Sequence, residues 1–324
     1  MTVAPEQMKQ EAPPLEPQAA LGRFERVQFP YKTLNGVDFE VAVIAPKTVV
    51  ASAAKQDSPL LVHFHGGGLV MGTVLEPFFI SLWPLELAEN HNAVIISPSY
   101  RLMPEANGAD ILDDLKDFWD WVHKDLVALV KSKWSHITIN LDKIAVWGES
   151  AGGYLALQSA FLFPEASIKA VMPQYCCMYT DLVEYQNGGV DDPEAHALLD
   201  KFVAGLKPGS VRVSSPFPEN LNLVLAINRT RRHLEFFGSD ERLSLGHALQ
   251  VAEKIPPIWV MQGTEDRLVK KEAMDQMVAR IRKAHPETPL LYSVQRGDHG
   301  FDTDHGLTEP YIAEGVEFIH KYWP

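Results

Sequence analysis

Short apolar runs alternate with stretches of helical periodicity along most of the chain, and this alternation predicts a buried sheet with helices on its faces. Leu60–Phe64, Ala93–Ile96, Lys143–Trp147, Ile168–Met172, Ile258–Met261 and Leu290–Val294 have strand length and branched or bulky apolar content, and Gly or Pro closes several of them. They read as parallel strands. Ile111, Leu112, Leu115, Phe118, Trp119 and Val122 recur at helical spacing, with Asp113, Asp114, Asp117 and Asp120 on the other side, the pattern of an amphipathic helix laid on a sheet. Strands and helices in this order make an α/β fold with right-handed crossovers. Ahead of them, Phe24–Phe29 and Val37–Ile44 flank Asn35-Gly36, a dipeptide that accepts positive φ, so an antiparallel hairpin opens the fold.

Two stretches depart from the alternation. Residues 1–20 hold Pro5, Pro13, Pro14 and Pro17 among polar neighbours, a composition that resists regular structure and predicts a mobile arm or a segment laid over the body. Residues 178–250 are longer than a crossover helix requires. Asn187-Gly188-Gly189, Lys207-Pro208-Gly209 and Ser214-Ser215-Pro216-Phe217-Pro218 punctuate them, while Ala195–Leu206 and Leu245–Lys254 look helical. The expected organisation is an arm and hairpin over 1–45, a first core segment over 46–177, an inserted cap over 178–250 and a second core segment over 251–324.

Composition narrows the class of function. With 324 residues and 46% apolar content, the chain has enough core for one large enzyme-sized domain. The balance of 29 basic and 42 acidic residues, net −13, repels a phosphate backbone and disfavours nucleic acid and anionic membrane surfaces as partners. No stretch approaches the length of a spanning helix, and the amino terminus lacks the basic start and apolar centre of a secretory signal. Cys176 and Cys177, the two cysteines, are adjacent and so poorly placed to pair. A soluble, cytoplasmic protein is expected, and a homodimer stays open.

The sharpest chemical signal is Gly148-Glu149-Ser150-Ala151-Gly152-Gly153, set between the Lys143–Trp147 strand and the helical run Tyr154–Leu162. A serine on a strained strand-to-helix turn needs Gly on both sides, and the turn pushes its hydroxyl out over the sheet edge. The helix amino terminus also favours developing negative charge. His65-Gly66-Gly67-Gly68 follows the Leu60–Phe64 strand, where three successive glycines leave backbone N–H groups free to converge on an oxyanion. A phosphate cradle is the alternative reading, but the Walker spacing and its Lys-Ser/Thr are missing.

With these motifs the chain resembles the alpha/beta-hydrolase fold, specifically the hormone-sensitive-lipase family of carboxylesterases with HGGG and GxSAGG motifs. Tyr100-Arg101-Leu102-Met103-Pro104-Glu105 is similar to a third family segment, and the likeness runs over residues 55 to 322. It implies a mostly parallel central sheet flanked by helices, with a cap formed by the amino-terminal segment and an insertion. It also implies a triad in the order Ser, acid, His. Asp266 in Gly263-Thr264-Glu265-Asp266-Arg267-Leu268-Val269 matches the acid, with Glu265 as its competitor, and His299 in Asp298-His299-Gly300-Phe301 matches the base. Gly67, Gly68 and Ala151 would supply the oxyanion hole, with His65, Gly66, Gly148, Glu149 and Gly152 as structural support.

Leu69, Met71, Phe78, Phe79 and Tyr154 are the candidate substrate-pocket residues. The carboxylates and imidazoles around His299 invite a metal reading, but no second cluster matches and the serine motifs need neither metal nor cofactor. His63 reads as a hydrogen-bonded core histidine, Cys176 and Cys177 as buried small hydrophobes, and Arg229, Arg231 and Arg232 as a solvated basic knot. The expected reaction is hydrolysis of a small-molecule carboxylic ester of small to medium acyl or alcohol groups through an acyl-enzyme. Alternatives on the same scaffold are thioester release or acyl transfer, dehydration, and a non-catalytic ligand receptor.

Overall fold

In a computed structural model, residues 15–177, 181 and 191–323 are described. Asn187-Gly188-Gly189 and the first fourteen residues of the expected arm lie outside them. The described strands are β1 (Phe24–Leu34), β2 (Val37–Pro46), β3 (Gln56–Phe64), β4 (Val94–Pro98), β5 (Ile137–Glu149), β6 (Ile168–Gln174), β7 (Ile258–Gly263) and β8 (Leu290–Gln295). They form one sheet in the order β1-β2-β4-β3-β5-β6-β7-β8, antiparallel through the β1–β2 and β2–β4 pairs and parallel from there on. Asn35-Gly36 turns the opening hairpin with φ of 52° and 79°, as the dipeptide predicts.

The main helices are α1 (Leu15–Leu21), α2 (Leu82–His91), α3 (Gly108–Trp121), α4 (Ala151–Leu162), α5 (Pro193–Ala204), α6 (Leu221–Thr230), α7 (Leu245–Val251), α8 (Lys271–Ala284) and α9 (Pro310–Ile319). Two buried clusters cover the two faces of the sheet. Val62, Val146, Phe118 and Leu155 belong to one, and Leu61, Trp147, Trp83 and Trp259 to the other. Adjacent strand positions thus point to opposite sides, as the pleat requires.

Two expectations need correction. The arm is regular at its end: Leu15–Leu21 is a helix that buries Ala20 beside Phe24 and Trp83. Pro17 falls in the first turn, where the missing N–H is not needed, so the proline does not break it. Asp114 does not belong to a solvated acidic face. It is buried, accepts hydrogen bonds from the backbone N–H and guanidinium of Arg101, and pairs with Lys32. That pairing ties α3 to the Tyr100–Glu105 segment and to β1.

The parallel ladder brings the strand ends together. Phe64 pairs with Gly148, Glu149 with Gln174, Gln174 with Met261, and Gly263 with Gln295. The segments that follow β3, β5, β6, β7 and β8 therefore leave the sheet along one edge, where open α/β sheets hold their ligands.

Candidate active site

Ser150 sits between β5 and α4 with φ 54° and ψ −113°, a conformation that costs a non-glycine residue strain. Its neighbours hold it there. The Ser150 N–H donates to the Gln174 carbonyl (2.9 Å), and the Cys177 N–H donates to the Ser150 carbonyl (3.1 Å), so the turn is clasped by the chain leaving β6. Gly152 is required by close approach, because a Cβ there would overlap the Phe64 carbonyl at the end of β3. The Ser150 hydroxyl lies 3.3 Å from the Cys177 sulfur.

His299 follows β8 and reaches the same cavity as Ser150. Its Nδ1–H donates to Asp266 Oδ2 at 2.9 Å, and the edge of Tyr175 packs on its ring at 4.6 Å between centroids. Asp266 is buried behind it. Oδ1 accepts from the N–H groups of Leu268 (2.9 Å) and Val269 (2.8 Å), and Oδ2 also accepts from the Gln262 side-chain amide (3.2 Å). These donors satisfy both oxygens of the buried carboxylate and fix its orientation toward His299. Glu265 turns to the surface and pairs with Arg296 at 2.8 Å, so the geometry distinguishes the two acidic neighbours.

Gly67 and Gly68 line the cavity beside Ser150. Among the described residues, the N–H groups of Gly67, Gly68 and Ala151 donate no hydrogen bond within the chain. Gly67 has φ +96°, and a Cβ there would run into the Met71 carbonyl, so only glycine gives this loop its path. His65 braces the loop from beneath. Its ring stacks on Tyr100 at 4.4 Å and its Nδ1–H donates to the Gly66 carbonyl at 2.8 Å. Burial pushes the His65 imidazole down to about 3, which leaves it neutral near pH 7. Glu149 bonds His63 Nε2 at 2.9 Å, and His63 is also held by Ser97 and stacked on Trp147.

The cavity encloses about 530 Å³. Met71, Phe78 and Phe79 line it, with Phe217 and α6 closing the far side. The rings of Phe78 and Phe217 pack at 4.0 Å between centroids, tilted by 40°. Leu69 and Tyr154 lie elsewhere. Leu69, at φ 60°, turns into the core, and the Tyr154 hydroxyl donates to the Leu243 carbonyl, away from the cavity lining. The amino-terminal segment contributes nothing to the lining over residues 15–45. The basic knot is largely paired, Arg229 with Asp192 and Arg232 with Asp200 and Glu235.

Sequence reasoning missed Cys177, Tyr175 and the residues of α6 that line the cavity. The i, i+3, i+4, i+7 spacing of Leu221, Val224, Leu225 and Asn228 is a signal that marks a shared helix face. Nothing local marks Cys177. Among the described residues there is no cluster of three or more His, Cys, Asp or Glu side chains suited to a metal, and no helix long and apolar enough to cross a membrane.

Comparison with known proteins bears on the fold and on the class of activity. A probable carboxylesterase, M8, of Phoma sp. is 33% identical over 93% of this chain and 97% of its own length. A second probable carboxylesterase, clz11 of Cochliobolus lunatus, is 34% identical over 58% of this chain and 93% of its own. Among solved structures, one from a study of two fungal esterases of Rhizomucor miehei superposes with a TM-score of 0.59 at 19% identity, covering 99% of this chain and 91% of that one, a likeness of fold. The model of the family described as alpha/beta hydrolase fold matches residues 61–303. The chain belongs to the alpha/beta-hydrolase fold family.

Proposed function

We propose that this carboxylesterase-type hydrolase cleaves esters of small to medium acyl or alcohol groups through an acyl-enzyme formed on Ser150. Ser150 Oγ attacks the ester carbonyl carbon while His299 Nε2 accepts the hydroxyl proton. The carbonyl oxygen takes up the negative charge and is held by the N–H groups of Gly67, Gly68 and Ala151. Collapse of the tetrahedral intermediate breaks the ester bond, and His299 returns the proton to the departing alcohol oxygen. Water then attacks the acyl-enzyme by the same route, releasing the acid and restoring Ser150. Asp266 keeps the proton of the resting imidazole on Nδ1, so that Nε2 is the base, and offsets the charge of the imidazolium.

The observation that carries this reading is the Asp266–His299 pair opening onto the cavity that also holds Ser150 and amides with no internal acceptor. A cavity of about 530 Å³ with apolar walls suits a compact ester. Turnover of p-nitrophenyl esters is expected to peak at about two to eight acyl carbons, because each accommodated methylene contributes only ~0.8 kcal/mol and a clash with the wall outweighs it. Intact mass after treatment with a fluorophosphonate tests the nucleophile. One adduct in the wild type and none in Ser150→Ala supports the assignment, whereas equal labelling of both removes it. Free thiols at Cys176 and Cys177 suit the reducing cytoplasm in which we place the enzyme.

A further inference from the structure

Helix α6 lies over the oxyanion loop: a Cβ added to Gly68 would sit 3.4 Å from Val224 Cγ1. Leu221, Val224, Leu225 and Asn228 line the cavity from this helix, and their spacing places them on one face. Ile227 also reaches the cavity, the adjoining Leu223 and Ala226 are buried, and Arg229 on the outer side pairs with Asp192. Position 228 carries an amide on this otherwise apolar face, half-buried at the cavity wall, and no hydrogen bond to that amide is found among the described residues. Its donor and acceptor are therefore open to whatever occupies the cavity.

The other polar side chain that the described cap turns to this cavity is His233. Burial and the nearby Arg231 lower its imidazole to about 4, so it adds no charge near pH 7. Across the cavity mouth, Arg267 is paired with Asp298. The cap wall is therefore suited to an uncharged polar group. Asn228 follows Val224 by one helical turn, about 6 Å along the axis.

Resting on the esterase reading, we propose that Asn228 is a specificity-determining residue that hydrogen-bonds an uncharged oxygen, a keto or hydroxyl group, carried about one helical turn from the scissile carbonyl. The favoured substrates are then oxygenated esters, and plain alkyl esters are poorer ones. The amide NH₂ donates to a keto oxygen, and the amide carbonyl accepts from a hydroxyl.

Two matched pairs test this and tell the acyl limb from the alcohol limb. The first is p-nitrophenyl 5-oxohexanoate against p-nitrophenyl hexanoate, and the second is 5-oxohexyl acetate against hexyl acetate, followed by acid release. In the wild type, kcat/KM is expected to favour the oxo ester about tenfold in at least one pair. Asn228→Leu should bring that ratio to one or below while raising turnover of the plain ester. Asn228→Asp, near in shape but without the NH₂ donor, should also lose the preference for the keto oxygen, and it keeps the test decisive if the leucine variant folds poorly. Oxo-to-plain ratios that stay within twofold of one in the wild type, or that neither variant moves, overturn the proposal alone. A wild type that hydrolyses none of the four esters overturns the esterase reading beneath it.

Discussion

The Cys177 thiol lies 3.3 Å from the Ser150 hydroxyl, and among the described residues no hydrogen bond joins that hydroxyl to His299. In this arrangement the Ser150 hydroxyl leans on sulfur, a weak partner, and the proposed reaction needs that hydroxyl to bond the imidazole instead. Cys177→Ala should therefore speed fluorophosphonate labelling of Ser150, by about two- to fivefold, the scale of one weak hydrogen bond. Slower labelling would mean that the thiol orients the hydroxyl for attack. Alkylation of Cys177 should abolish ester turnover, because it fills the space beside the nucleophile.

The acid of the triad is open to a direct comparison. Asp266→Asn is expected to lower kcat by about 10⁴ through the wrong imidazole tautomer. Glu265→Gln, which removes only an exposed pair with Arg296, should change kcat less than about twofold. Steady-state kinetics on one p-nitrophenyl ester decides between them, and a reversed order would move the acid to Glu265.

Acid sensitivity follows from the neutral buried histidines. Burial lowers the His65 imidazole from 6.5 to about 3, so below pH 6.5 the unfolded chain takes up a proton that the folded chain refuses. The stability present above pH 6.5 is then lost progressively as the pH falls toward 3, at up to ~1.4 kcal/mol per pH unit for one such group. Thermal melts from pH 7.5 to 4.5 should show a steeper fall for the wild type than for His65→Gln. Parallel curves would contradict this account.

Ala20→Asp places a charge where α1 packs near Trp83. Because none of residues 15–45 lines the cavity, the substitution should lower Tm by about 3–6 °C and change kcat/KM less than about threefold. Differential scanning fluorimetry with one ester assay measures both. A large kinetic loss at unchanged Tm would place the segment over the site after all.

Legibility in the sequence followed the range of the interactions. The Ser150 turn was readable because a local rule governs it: a strand, a strained serine and flanking glycines. The parallel strands were readable because burial on both faces leaves them uniformly apolar. Leu69 and Tyr154 were misplaced because sequence adjacency to Gly68 and Gly153 does not tell direction. A positive φ turns Leu69 into the core, and the helical rotation at Tyr154 aims its hydroxyl at the Leu243 carbonyl. Asp114 shows the same limit, since its burial depends on Arg101 and Lys32 arriving from other elements. Cys177 faces the cavity only through the way β6 ends, and the face that Asn228 shares meets the cavity only through the way α6 docks, which no short window of residues encodes.

The contact of Gly152 with the Phe64 carbonyl sets a dimension of the catalytic apparatus. Helix α4 begins directly after Ser150, the proposed nucleophile, and opens with one proposed oxyanion amide, while β3 leads into the loop that carries the other two, and the two elements touch where a side chain is missing. The spacing between attacking and stabilising groups is thus metered by the width of a methyl group left out. Restoring it, as in Gly152→Ala, would wedge helix from strand and widen the oxyanion gap while leaving every reacting atom in the chain.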